Sequence, residues 1–581
     1  MRKIFHFILV VAWVSISLDL LWPVIFQIQA SIPAEKPPAR SGVNYLVIAP
    51  QAFSGVAAEW AAYRQAGGFQ VATVLLSPEQ KTPQVIAQLI QEAYYQSGSP
   101  YPFYVILLGP PYPDANADIF LPPHKFKVAT PITQLYGYEH ILGDSGYTFD
   151  EQRKQWLPIA IGRIPFAEEV LIYQTLSKTK RYETDSANGL AALQVNLTAS
   201  DAAWGDAFGK LAETMLRQFA GHFISPDINF KIVYGFPQSA YSLPTDQYAS
   251  RINESLNGSP LWWTYVGHGG ESLGPATGKE GEWVNMYDFN AALSMPDINQ
   301  TVATFVACTI GNYERPSFSH FTMMLPQGPV VAFAASDITF DVPNTFLQRD
   351  LMTLGLNEQV ETVGEWTRLA KFGYQHAAYD RTFFVWLLHQ QLDELYSRTI
   401  VADCDATGVV TEQDMIEHQL YGYNLFGDPA LHIKHAKRDL EVTSRLAGPF
   451  DWGEIYVHGK SALPQGTPIV VWLKPFPGSR LDVQPGSDPV ERFEQANRMA
   501  LAAITTQVDA GGVFKGNLRA PGLALGKYVV TAASLSAPIV VGHDILYVGL
   551  PWQEWLTNRW LWWTLIPFSL FFPYRTRFKT T

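Results

Sequence analysis

Cysteine is nearly absent, with two residues in a chain of 581. One pair cannot staple a chain of this size, so a disulfide framework is excluded. Charge is scarce too: Asp, Glu, Lys and Arg make up 16% of the sequence, against the roughly 25% usual in soluble proteins. Basic residues are the scarcer sign, 41 against 53 acidic, leaving a net charge of −12. That excludes a nucleic-acid binder working through a basic field. There is no internal repeat at solenoid spacing. What is present is a large apolar fraction, 47% hydrophobic with 13% aromatic, which excludes a disordered or fibrous chain. The length gives a prior of roughly four folded units.

The two ends stand apart from the rest. Arg2 and Lys3 precede a mostly apolar run from Ile4 to Leu18, and Ile28-Gln29-Ala30 resembles a cleavage site. Residues 1–30 therefore read as a signal peptide or an uncleaved N-terminal anchor. Residues 31–42 form a Pro-rich linker, too short for a folded inhibitory prodomain. Residues 551–581 hold Trp552, Trp555, Trp560, Trp562 and Trp563, then Arg575, Arg577 and Lys579. Trp at headgroup depth with a basic flank points to a membrane contact. The charge-free stretch Trp560 to Phe572 is only 13 residues and contains Pro567, which equally suits an aromatic segment packed on the last domain. The expected location is extracytoplasmic, on an exported and membrane-associated protein.

Between the ends, apolar strands alternate with helical patterns. Residues 43–190 show strand-like Tyr45-Leu46-Val47-Ile48, Val71 to Leu76, Tyr104 to Leu108 and Ile159-Ala160-Ile161, with helical spacing over Pro83 to Tyr95 and Ala167 to Tyr182. Residues 191–436 repeat the alternation, with strands at Leu193 to Leu197, Ile232 to Tyr234, Trp262 to Val266, Val302 to Ala307 and Pro329 to Ala334. Continuous apolar strands separated by helices indicate mainly parallel sheets covered on both faces. Residues 437–550 change to short β-rich runs between Gly and Pro turns, which suggests a small all-β sandwich.

The chemistry concentrates at two strand ends. Trp262 to Val266 runs into Gly267-His268-Gly269-Gly270, and Ala303 to Ala307 runs into Cys308. In open α/β sheets ligands bind beyond the carboxyl ends of strands, so two parallel neighbours would present His268 and Cys308 to one crevice. An imidazole beside a thiol raises the thiolate fraction and can protonate a leaving amine. The spacing alone also fits a turn histidine and a buried, inert thiol, or a Cys308–Cys404 bridge.

Tyr265-Val266-Gly267-His268-Gly269-Gly270 together with Val306-Ala307-Cys308-Thr309-Ile310-Gly311 resembles the signature of gingipain-type cysteine peptidases. Leu157-Pro158-Ile159-Ala160-Ile161-Gly162-Arg163-Ile164-Pro165 is similar to the strand closing that family's first subdomain. Tyr423-Asn424-Leu425-Phe426-Gly427-Asp428-Pro429-Ala430-Leu431 resembles the motif closing its catalytic domain. The resemblance covers about residues 43–436. It implies a caspase-like α/β catalytic domain of two subdomains, an immunoglobulin-like β domain after it, and hydrolysis of protein or peptide substrates. It also implies Cys308 as nucleophile, His268 as acid/base, and the backbone N–H groups of Gly269 and Cys308 as oxyanion donors. An acid that orients the histidine follows the first strand of the second subdomain; Asp201 stands there, where it equally suits a helix cap or turn. The acid that reads a basic substrate side chain in some members has no secure match in Gly205 to Lys210, so cleavage after Arg or Lys does not follow from the resemblance. The rival readings are an inactive relative that binds a partner or surface, and an adhesion protein whose β domain carries the function.

One motif is independent of this. Asp403 to Asp414 nearly fits a calcium loop, with Asp403, Asp405, Thr407 and Asp414 as oxygen ligands and Gly408 at the turn. A polar interhelical turn capped by Thr411 fits as well. No cofactor is expected for the chemistry itself; a structural calcium is the candidate metal.

Overall fold

The computed structural model describes residues 42–377, 412–477, 488–535 and 539–549, apart from a few short breaks. The expected signal segment, linker and aromatic tail fall outside these residues, as does most of the calcium loop. Among the described residues no helix is long and apolar enough to cross a membrane.

Ten strands build the central sheet. In chain order they are β1 (Tyr45–Pro50), β2 (Val71–Leu76), β3 (Phe103–Leu108), β4 (Ile159–Ile164) and β5 (Gln194–Ala199). Next come β6 (Asn229–Tyr234), β7 (Trp262–Val266), β8 (Val302–Val306), β9 (Val331–Ala335) and β10 (Tyr423–Phe426). Inner strands such as β1, β3, β5, β8 and β9 are buried at every residue, as strands of a sheet covered on both faces are. The polar Gln194 and Asn196 of β5 are hydrogen-bonded there.

The spatial order is β6-β5-β7-β8-β9-β10-β4-β3-β1-β2. Strands β1 to β4 are mutually parallel, and so are β5 to β9. Strand β10 runs antiparallel to β9 and parallel to β4. The halves therefore run in opposite directions, and their carboxyl ends lie on opposite rims. Strand runs are legible in the sequence, but this joining of both halves into one sheet is not. Pairing β10 on both sides leaves no open sheet edge at the seam.

The seam is where two of the sequence motifs meet. Arg163 on β4 is fully buried. Its Nε and Nη2 donate to Asp144 at 2.8 and 2.6 Å, and its Nη1 donates to the carbonyls of Gly109 and Leu121 at 3.0 and 2.8 Å. Tyr313 donates to the same carboxylate at 2.6 Å. Asp428, just past β10, accepts from Trp60 Nε1 and Arg64 Nε, both at 2.8 Å. A buried charge persists only when paired and hydrogen-bonded in this way.

The C-terminal strands are β11 (Glu441–Gly448), β12 (Asp451–Lys460), β13 (Pro468–Pro475), β14 (Ala502–Gln507), β15 (Val513–Arg519), β16 (Gly526–Ser534) and β17 (Val541–Val548). They form antiparallel sheets of three and four strands, β11-β12-β15 and β14-β13-β16-β17. Ile455, Val457, Ile469, Val471, Phe514 and Val530 fill the space between them. Trp472 and Ala533 instead join the core of the α/β unit. After a helix at Pro489–Ala496, the Asn497 amide accepts from Ile232 N–H at 2.8 Å and donates to its carbonyl at 2.9 Å. Outer strand β6 thus has part of its edge blunted by a side chain that mimics a strand.

Several buried bases make stability depend on pH. Burial pulls His320 down to about 3, with Arg163 adding to the effect, and His418 down to about 4, from 6.5. Burial likewise lowers Lys178, Lys371 and Lys474 from 10.5 to about 7. In each case the unfolded chain binds protons that the fold refuses, so stability rises with pH across the window between the two values. The histidines give a rise from about pH 4 to 6.5 and the lysines a rise above about 7. The melting temperature at constant ionic strength is expected to climb from acid to mildly alkaline pH; a flat profile from about pH 4 to 9 would contradict this.

Candidate active site

Neighbouring strands of the second half end level with one another. Val266 at the end of β7 pairs with Val306 at the end of β8 and with Ala199 at the end of β5. Two residues beyond each end stand His268, Cys308 and Asp201. The ladder continues past the strands: Ser200 N–H donates to the Val266 carbonyl at 3.0 Å, and Gly267 N–H to the Val306 carbonyl at 3.2 Å. This brings the sequence-predicted histidine and cysteine to one rim.

Gly267 shapes the approach to His268. Its φ is 144°, and a Cβ there would lie 1.9 Å from Ser200 Oγ. Only glycine fits such a turn at such close quarters. The space serves a contact: His268 N–H donates to Ser200 Oγ at 2.9 Å. The Tyr265 hydroxyl donates to the His268 carbonyl and accepts Gly274 N–H at 2.8 Å. His268 itself is exposed, with Nε2 3.3 Å from the Ala202 carbonyl oxygen. A ring nitrogen at a carbonyl carries the proton, which assigns Nε2 as N–H and leaves Nδ1 to exchange protons.

Cys308 is half-buried. Thr339, in the loop after β9, sends its N–H to the sulfur at 3.3 Å and places Oγ1 at 3.5 Å. The Thr339 carbonyl lies 3.8 Å from the sulfur. Thr309 turns the chain immediately afterwards with φ 53°, a sparsely populated conformation outside glycine. Gly269 lies directly against this turn: a Cβ on it would stand 2.3 Å from the Cys308 carbonyl oxygen. The two glycine- and cysteine-borne N–H groups expected to act together are thus on adjoining backbone.

Asp201 is buried, and its N–H donates to the Pro275 carbonyl at 2.9 Å. Its charge adds to burial in raising the phenols of Tyr234 and Tyr248. Sequence reasoning missed Ser200, the Ala202 carbonyl and Thr339. Thr339 was findable, since β9 is parallel to β8 and residues 336–340 follow its carboxyl end on the same rim.

Of the calcium-loop residues, Asp403, Asp405 and Thr407 lie outside the described residues. Asp414 falls in the first turn of the helix Glu412–Gly422. Among the described residues no group of three or more His, Cys, Asp and Glu could hold a metal. Cys404, the partner in the alternative Cys308–Cys404 bridge, is also outside them.

A thiol and an imidazole beyond neighbouring parallel strands are the two side chains a cysteine hydrolase uses. The model of peptidase family C25 matches residues 39–434. The chain belongs to that family and is a cysteine peptidase. Among solved structures it is similar to the Arg-specific cysteine proteinase gingipain R, at 15% identity over 88% of this chain and 99% of that one, with a TM-score of 0.48. It is similar to the complex of the pro- and mature domains of RgpB from Porphyromonas gingivalis, at 15% identity over 87% and 100%, with a TM-score of 0.45. A third, described as a protease, shares 12% identity over 87% and 98%, with a TM-score of 0.49. No curated protein matches the sequence.

Proposed function

We propose that the chain is an exported endopeptidase that cuts protein or peptide substrates with a Cys308–His268 dyad. The Cys308 thiolate attacks the scissile carbonyl, and the backbone N–H groups of Gly269 and Cys308 receive the developing oxyanion. His268, its Nε2–H held at the Ala202 carbonyl, takes the Cys308 thiol proton on Nδ1 and gives it to the departing amine. It then takes one from the water that hydrolyses the thioester. Asp201 is the candidate orienting acid at the neighbouring strand end. The observation that carries this reading is the level pairing of Val266 with Val306, which sets His268 and Cys308 at equal distance beyond adjacent strands.

An electrophilic probe for active-site thiols tests it. Labelling of Cys308 is expected in the folded protein and should disappear in His268→Ala; no labelling of reduced, folded protein would favour an inactive binding or adhesion role. Export with membrane contact through residues 1–30 or 551–581 belongs to the same proposal; unchanged fractionation after removing both segments would refute that part. A structural calcium held by Asp403, Asp405, Thr407 and Asp414 is a further part, refuted by equal calcium binding in Asp403→Ala.

A further inference from the structure

A relay of three side chains leads from the core to the sulfur. Tyr423, on β10 and fully buried, donates its hydroxyl to Asn344 Oδ1 at 2.7 Å. Asn344, in the first turns of the helix Asp341–Gly355, donates Nδ2 to Thr339 Oγ1 at 2.8 Å. Thr339 Oγ1 then lies 3.5 Å from Cys308 Sγ. The direction of each bond follows from the one before. A phenol donating to Oδ1 fixes which end of the Asn344 amide faces Thr339, and that end is NH₂, which can only donate. The Thr339 oxygen therefore accepts from Asn344, which leaves its own proton available to the sulfur 3.5 Å away.

We propose that Thr339 and Asn344 are positioning residues that hold the Cys308 sulfur as a thiolate. In this arrangement the sulfur receives two donors from one residue, the Thr339 N–H at 3.3 Å and its O–H. Donors to the charged form lower a thiol's pKa and keep the anion aimed. Without the amide, the Thr339 hydroxyl is at liberty to turn around and accept an S–H, which favours the neutral thiol. The inference rests on Cys308 being the nucleophile, but it concerns the sulfur's ionisation, which is measurable without any substrate.

The rate of alkylation of Cys308 by iodoacetamide against pH is the test, with Thr339→Val and Thr339→Ser beside the parent. Valine keeps the shape and the backbone N–H and removes the O–H; serine restores it. The apparent thiol pKa is expected to rise by about one unit in Thr339→Val, a roughly tenfold slower reaction on the acid limb, and to return in Thr339→Ser. Asn344→Ala should raise it too, and should add nothing in a Thr339→Val background. An unchanged profile in Thr339→Val overturns the proposal, as does a shift that serine fails to reverse. If alkylation follows the expected pattern while peptides stay uncut, the peptidase reading fails and the relay stands.

Discussion

Cys308→Ala lowers kcat/KM on a cleaved peptide by at least about ten-thousand-fold, and His268→Ala by a comparable factor. In the proposed mechanism each removes a group that bonds to the substrate or moves a proton in the transition state, so the loss belongs mainly to kcat. The double variant should be no worse than either single one, because a nucleophile and its acid/base act as one unit. Peptide affinity should change little, since neither side chain is the main source of ground-state binding. Asp201→Asn should cost much less than His268→Ala, because the Ala202 carbonyl remains 3.3 Å from Nε2. Single-turnover kinetics with a fluorogenic peptide separates these outcomes. A Cys308→Ala variant retaining activity within about tenfold of the parent would remove the sulfur from the mechanism.

Arg163→Met is expected to destabilise the fold by about 3–5 kcal/mol, the largest effect anticipated away from the catalytic rim. Methionine fills much of the volume but leaves Asp144 buried and deprived of its ion-pair partner, with the Tyr313 hydroxyl still donating to it. It also orphans the Gly109 and Leu121 carbonyls that Arg163 satisfies. Adding Asp144→Leu should recover part of the loss, since replacing a whole buried pair by apolar residues costs far less than breaking it. Urea unfolding with a common slope measures the difference. A loss below about 1 kcal/mol would mean that water or a neighbour compensates Asp144 in the variant.

How far the sequence carried these conclusions depends on what local pattern can encode. The runs Tyr45 to Ile48, Trp262 to Val266 and Val302 to Ala307 are apolar apart from Thr264 and Thr304, and each forms a strand of the central sheet. His268 and Cys308 are legible because polar residues directly after such runs fall on a rim. The change of style near 437 is legible because half-exposed strands alternate, as in Ala502–Gln507. What stays hidden is non-local. Residues Arg163 and Phe426 pair across the seam although 263 positions separate them, and no periodicity records that. The Ala202 carbonyl is invisible for another reason: backbone groups carry no residue identity. Asn344 sits at an ordinary helix start, where its amide has local uses as plausible as the one it serves.

The two-sided strand β10 has a bearing on how the molecule comes into being. It is the last strand of the central sheet to be synthesised, and it alone bridges β9 and β4 in that sheet. While the ribosome is still short of residue 426, the nascent chain holds two half-sheets with no ladder between them. Tyr423 at the head of the sulfur relay arrives on that same segment. A polypeptide halted before this point would carry its cysteine yet lack Tyr423 behind Asn344 and Thr339, so the joining of the halves and the completion of the sulfur's surroundings coincide.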